Sequence, residues 1–234
     1  MSKTLTWVLR HGSQAEGLAM RPDGYVRVDD LLKIPKMHEV DLEKIQDMVK
    51  KDAKGRFHLK SETADGNEVW WIRANQGHSM KEVKLELQPV QSVSDIPTGI
   101  AVHGTTREAW QIIREQGLSK MARNHIHLAQ GVPGSGVISM RQSSQILVYV
   151  DVQKALDAGI KFSLSSNGVV LTEGDERGFL SPEYFARVET VKGDALPGWD
   201  HTPAIPRTQA KQSKKKAGKA KEVTAVTDES SGVA

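Results

Sequence analysis

The chain has 234 residues, no cysteine and a formal net charge of +3. That length suits one large or two small domains, and the missing cysteine excludes disulfides, cysteine-based zinc sites and a Cys nucleophile. No apolar run approaches the roughly 18 residues of a membrane span, and MSKTLTWVLR lacks the apolar core of a secretion signal, so an intracellular protein of the cytoplasm or nucleus, with no membrane partner, is expected. Residues 207–234 carry seven of the 32 basic and three of the 29 acidic side chains, leaving 25 basic and 26 acidic over 1–206, a net of −1. A polyanion would therefore be bound through local clusters and not through bulk charge.

In chain order, residues 4–11 read as a short helix ending in Arg10-His11-Gly12. A cation, an imidazole and a glycine at that point suit a helix C-cap, with Gly12 left-handed. They also suit a functional pair, and the nine residues TWVLRHGSQ do not choose. MRPDGYVRVDDLL predicts a Pro-Asp-Gly turn, a strand over 25–28 and a helix capped by Asp29. HEVDLEKIQDMVKKD spaces Leu42, Ile45, Met48 and Val49 as a helix does, with Asp41 as its cap. GRFHLK and EVWWIRA predict a hairpin turned at ADGN. These elements predict a small winged-helix-like lobe over 1–88, followed by a linker, QPVQSVSDIP, with 89–95 at its centre.

After the linker the pattern changes. IAVHGTT predicts a strand, REAWQIIREQGL a helix closed by Gly117, HIHLA, ILVYVDV and GVVLTEG further strands, and VQKALDAG a short helix. Residues 96–200 thus predict a strand-rich lobe, and the fold class is α+β. GVPGSG reads as a flexible loop. The tail over 201–234, with almost no large apolar residues, is expected to be disordered and basic, a loose phosphate-binding arm or a nuclear signal. No coiled coil or apolar stripe stands out, so a monomer is expected.

Several strand ends are unusually polar: ANQGHS (74–79), VHGTT (102–106), RNHIHLA (123–129) and SMRQSS (139–144). Loops on a rigid scaffold commonly carry function, and four of them point to a polar, phosphate-bearing ligand. The Arg-His-Gly of a histidine phosphatase follows a strand, whereas TLTWVLRHG reads as helix. His125 and His127 have the spacing of a metal pair, but no acidic third ligand stands near them. Neither a P-loop nor a dinucleotide glycine fingerprint occurs.

Together LRHG, DGYVRVDDLL, GRFHLK, IRANQGHS, VHGT, RNHIHLA, GVISMR and SNGVVLT, in this order over residues 4–187, resemble the RNA 2′-phosphotransferase family. The resemblance implies an N-terminal winged-helix RNA lobe and a C-terminal ADP-ribosyltransferase lobe using NAD as co-substrate. It implies a catalytic group of Arg10, His11, Arg56 and Arg141. It implies an NAD pocket with His103, Gly104 and Thr105, to which Gln76, Gly77, His78, Ser79, His125 and His127 are further contributors. The implied reaction removes an internal 2′-phosphate from RNA such as spliced tRNA. The phosphate attacks the nicotinamide-bearing ribose carbon of NAD. The ribose 2″-hydroxyl then attacks the bridging phosphate, giving 2′-OH RNA and ADP-ribose 1″,2″-cyclic phosphate. Two departures stand out. Relatives usually carry Gly where this chain has Ser139, and tend to carry Arg where it has Leu164. A transferase acting on other nucleic-acid phosphate ends, or an inactive RNA-binding module, are the alternatives.

Overall fold

The computed structural model describes residues 2–132, 135, 140, 141 and 143–199. The expected tail, the departure at Ser139 and half of the GVPGSG loop lie outside them.

The first helix, α1 (Ser2–Trp7), continues without a break into one π-helical turn, Val8–Gly12. Leu5, Val8 and Leu9 are fully buried in the first hydrophobic core. Gly12 is not left-handed, and the helical backbone runs on through Ser13, so the C-cap reading of this stretch fails. Gly12 serves close approach instead. A Cβ there would fall 2.5–2.8 Å from the Trp7 ring.

A two-residue strand, β1 (Val26–Arg27), leads into α2 (Val28–Lys33). The helix starts one residue before Asp29, with Arg27 at the N-cap and no side-chain cap bond, so Asp29 lies in the first turn, where its charge complements the helix dipole. The next helix, α3 (Leu42–Lys50), is capped as expected: the Lys44 N–H donates to the Asp41 carboxylate at 2.8 Å. Strands β2 (Phe57–Ala64) and β3 (Asn67–Ala74) form the expected hairpin. Asp65 and Gly66 at its turn both have positive φ, the conformation that Asp-Gly tolerates and that matches strand twist. The sheet order is β1-β3-β2, and Phe57, Ile72 and Ala74 join the helices in the first core.

The segment expected as a linker is partly structured. Strand β4 (Gln88–Val90) crosses the expected 88/89 boundary and pairs with a strand of the second lobe, and Val90 is buried in the second core. One 3-10 turn, Val93–Asp95, follows, closed by a capping box between Ser92 and Asp95.

The second lobe holds β5 (Val102–Thr105), α4 (Arg107–Gln116), β6 (Leu118–Ser119), β7 (Ile126–Leu128), β8 (Ile146–Val150), α5 (Val152–Asp157), β9 (Phe162–Leu164), β10 (Val170–Thr172), β11 (Phe179–Leu180) and β12 (Phe185–Thr190). Two antiparallel sheets dominate, ordered β4-β9-β10-β7 and β12-β8-β5, bridged where Val102 meets Ala129. Strand β8, Ile146 to Val150, is buried at every residue, as expected of a central strand. Thr106 caps α4 at one end and Gly117, at φ 91°, closes it at the other. Leu164, where relatives tend to carry Arg, is buried in the second core between its β-partners Gln88 and Val170.

Candidate active site between the lobes

Hydrogen bonds join the two lobes around a cleft. Asn124 donates its N–H to the His78 carbonyl and its side-chain amide to the Met80 carbonyl, both at 3.0 Å. Asn167 donates to the Lys54 carbonyl at 3.1 Å, and Lys54 Nζ to the Met140 carbonyl at 3.3 Å. These bonds bring loops distant in sequence onto one cavity of about 410 Å³. The first lobe supplies Arg10, Lys54, Arg56 and Gln76, and the second supplies His103, Gly104, Arg123, His127, Arg141 and Asn167.

A second cavity, of about 690 Å³, adjoins the first. His103, Arg123 and His127 line both. His11, Thr105 and His125 line the second, with the apolar Ile112, Ile113, Met121 and Phe179. Among the described residues neither cavity is lined by Asp or Glu.

The π-turn aims its two polar residues apart. The Arg10 guanidinium lies against Gly77, whose φ of 90° and missing Cβ admit it: a Cβ there would sit 3.2 Å from Arg10 Cζ. Burial, then the nearby Arg123 and Arg56 cations, pull the Arg10 pKa down to about 10, and its Nε has no partner. A cation held among cations in this way is poised for an anion. His11 turns to the second cavity, with Nδ1 2.9 Å from Ser79 Oγ, while the Ser79 N–H donates to the Arg10 carbonyl at 3.0 Å. Burial first, then Arg123 and Arg10, lower the His11 pKa below its ordinary value, so the ring is neutral at pH 7.

Arg56 is oriented by Asp52, which accepts from the Arg56 backbone N–H and pairs with Nη1 at 3.1 Å. His103 Nδ1 lies 3.1 Å from the His127 carbonyl, which fixes the ring over the shared boundary of the two cavities. Burial and then Arg123 press His127 to about 3, and its Nε2 is unpartnered. Gly104 is a close-approach glycine: Met140 Sδ and Ser144 Oγ occupy the place of a Cβ.

All four candidates for the catalytic group reach the cleft, but on different walls. Arg10 and Arg56 form its inner wall, Arg141 its exposed rim, and His11 the neighbouring cavity. Gln76, His103, Gly104, Thr105, His125 and His127 also line the cavities. His78 and Ser79 line neither. His78 is buried behind Arg10 with both ring nitrogens unpartnered, and Ser79 braces His11. His78 is driven down to about 4 by burial, then by Arg10 and His11.

Sequence reasoning missed Arg123. It stands on both cavities, its pKa is lowered by burial and by Arg141, and it depresses Arg10, His11, His103 and His127 in turn. Its place directly before NHIHL is the one signal that the sequence offers for it. Lys54 and Asn167 were missed for a different reason: they meet only through the lobe interface. The described residues hold no group of three or more His, Cys, Asp or Glu suited to a metal.

A cleft walled by four arginines and by histidines, with no Asp or Glu lining it among the described residues, suits a phosphate-bearing ligand held by charge and orientation. Comparison with known proteins gives the family. A family model described as RNA 2′-phosphotransferase, Tpt1 / KptA family, matches residues 1–174. The chain is 47% identical over 197 residues to a putative tRNA 2′-phosphotransferase of Schizosaccharomyces pombe, covering 83% of this chain and about half (52%) of that relative. It is 47% identical over 195 residues to tRNA 2′-phosphotransferase 1 of Danio rerio, covering 82% of this chain and 85% of the relative. It is 44% identical over 187 residues to the Homo sapiens protein of that name, covering 79% and 73%. The chain belongs to the RNA 2′-phosphotransferase family.

Proposed function

We propose that this protein transfers the internal 2′-phosphate of an RNA, such as a spliced tRNA, to NAD, leaving a 2′-hydroxyl and releasing nicotinamide and ADP-ribose 1″,2″-cyclic phosphate. In this reading residues 1–87 are a winged-helix-like RNA lobe and the strand-rich residues 88–199, which begin with β4, an ADP-ribosyltransferase-like lobe. The observation that carries it is the convergence of Arg10, Arg56, Arg123 and Arg141 from both lobes on one cavity that, among the described residues, no Asp or Glu lines. A phosphate nucleophile is already an anion at neutral pH. It needs neutralisation and aim, not a base, and planar guanidinium forks supply both.

The residues present fit NAD. Two adjoining cavities of about 410 and 690 Å³ fall in the usual range for ligand sites, the first lined by four arginines and the second by four histidines beside an apolar wall. The unpartnered Arg10 Nε and His127 Nε2 offer polar groups at their walls. NAD supplies a ribose carbon whose bond to nicotinamide breaks readily. Arg10, Arg56 and Arg123 hold the 2′-phosphate, with Arg141 closing the rim. His103, Gly104 and Thr105 line the NAD side. Neutral His11, held by Ser79, accepts the proton of the ribose hydroxyl in the second step, while the arginines stabilise charge building on phosphorus.

The test is an RNA oligonucleotide with one internal 2′-phosphate, incubated with and without NAD, with both RNA and nucleotide products followed. NAD-dependent loss of the phosphate with the cyclic product supports the reading. Accumulation of ADP-ribosylated RNA locates a block at the second step. Loss of phosphate without NAD, or RNA binding with no reaction, overturns it.

A further inference from the structure

The first lobe carries a cationic face that the site does not use. Register places Lys60 opposite Trp71, His58 opposite Arg73 and Arg27 opposite Trp71, so these residues share one face of the β1-β3-β2 sheet. Because successive strand residues alternate faces, this is the face opposite the core-facing Phe57, Ile72 and Ala74. On it the cations sit on aromatic rings. Arg21 lies 4.9 Å from the Trp71 ring centre and 5.7 Å from that of Tyr25. Lys60 and Arg73 lie 4.3 and 4.8 Å from the Tyr25 centre. Tyr25 itself is buried, and its hydroxyl is 2.6 Å from His58 Nδ1. Ring stacking and hydrogen bonds hold these long side chains in place, so less conformational entropy is lost when an anion binds.

The face leads to the cleft. From Trp71 to Ala74, where β3 ends, is about 10 Å at the usual strand rise. Two residues on, Gln76 lines the cationic cavity.

We infer that the open face of the three-stranded sheet, through Arg21, Lys60 and Arg73, binds the RNA backbone flanking the reactive phosphate. The inference rests on the phosphotransferase reading for the kind of substrate, and its partner is a single RNA strand. Two carboxylates restrain the surface: Glu62 takes a hydrogen bond from Arg21 at 3.1 Å and an ion pair from Lys60 at 2.6 Å, and Asp23 takes a hydrogen bond from Arg21 at 2.9 Å. A phosphate must compete with both, and Glu62 is the one that holds two of the cations. Removing Glu62 therefore has the opposite sign from removing a cation, which a merely structural role for the patch would not produce.

The experiment measures fluorescence anisotropy of a labelled single-stranded 12-mer RNA with one internal 2′-phosphate, without NAD, over a salt series. The proteins are wild type, Lys60→Gln, Arg21→Ser/Lys60→Gln and Glu62→Gln. Turnover of the same 12-mer and of a dinucleotide bearing the 2′-phosphate is measured in parallel. The double variant is expected to weaken 12-mer binding about tenfold and to flatten its salt slope by about one for each phosphate no longer neutralised. Glu62→Gln is expected to tighten it by about threefold. KM should move for the 12-mer and stay unchanged for the dinucleotide. Equal affinities in all four proteins, weakening by Glu62→Gln, or equal KM changes for both substrates overturn the inference. Lys60→Gln, a single surface change, keeps the test valid if the double variant melts early. Absence of turnover in the wild type would count against the phosphotransferase reading, while the binding series would still judge the face.

Discussion

Acidification should destabilise this protein through His78, and the amount follows from its surroundings. The side chain is 2% exposed, has no hydrogen-bond partner on either ring nitrogen, and is held near pKa 4 by burial and by Arg10 and His11. An unfolded chain returns the ring to about 6.5. Between those values the unfolded state binds the proton and the folded state does not. The contribution is thus intact above pH 6.5, is lost as pH falls from 6.5 to 4, and changes little below that. From pH 7.5 to 5.0 the expected loss from this one group is about 2 kcal/mol, rising to ~3 kcal/mol below pH 4. The variant His78→Leu keeps an apolar side chain in the space and removes the titration. Urea unfolding of both proteins at pH 7.5 and 5.0 gives the comparison, because the other histidines contribute equally to each. The wild type should lose about 2 kcal/mol more than the variant. Parallel losses, within a few tenths of a kcal/mol, would refute the claim that His78 is buried uncharged.

Replacing Arg10, Arg56 or Arg123 singly with Ala should each lower turnover of 2′-phosphorylated RNA by at least about 10²-fold, the usual cost of removing one charge-stabilising group; a loss under threefold at any of them would remove that residue from the site. His11→Ala should reduce activity far more than His38→Ala, because His38 is an exposed residue bonded only locally to the Pro35 carbonyl and paired with Glu39. The kcat of the wild type should fall on acidification only below pH 6.5, since the lowered pKa of His11 keeps its base form above that value, and an acid limb centred above pH 6.5 would exclude His11 as the base. Gly117→Ala should destabilise the fold by about 1–3 kcal/mol in a thermal melt, because φ is 91° and the Leu180 carbonyl occupies the place of a Cβ.

Local chemistry made much of the fold readable in the sequence. Asp65-Gly66 allows the positive-φ turn that β2 and β3 need, Asp41 caps α3, and Gly117 ends α4. Each is decided within a few residues, by hydrogen bonds or backbone sterics that neighbours in the chain supply. The same was true of the cleft's ingredients: LRHG, NQGHS, VHGT and RNHIHL stood out because polar residues ended apolar segments. Tertiary structure decided what those ingredients became. Nothing local shows that Arg10-His11-Gly12 forms a π-turn and not a left-handed cap, because Leu5, Val8 and Leu9 of the same helix are held by a core built from residues as distant as Ile72 and Ala74. Nor does local sequence show that Gly77 lies against Arg10, that β4 belongs to the second lobe, or that Asn124 and Asn167 bind the lobes together. Arg123 gains its meaning only there. Its charge acts on Arg10 and His11, more than a hundred residues earlier, because desolvation in the interlobe cleft weakens solvent screening. The sequence by itself determined which segments end in polar groups; the packing of two lobes determined that four arginines line one cavity, since Arg10 and Arg56 come from one lobe and Arg123 and Arg141 from the other.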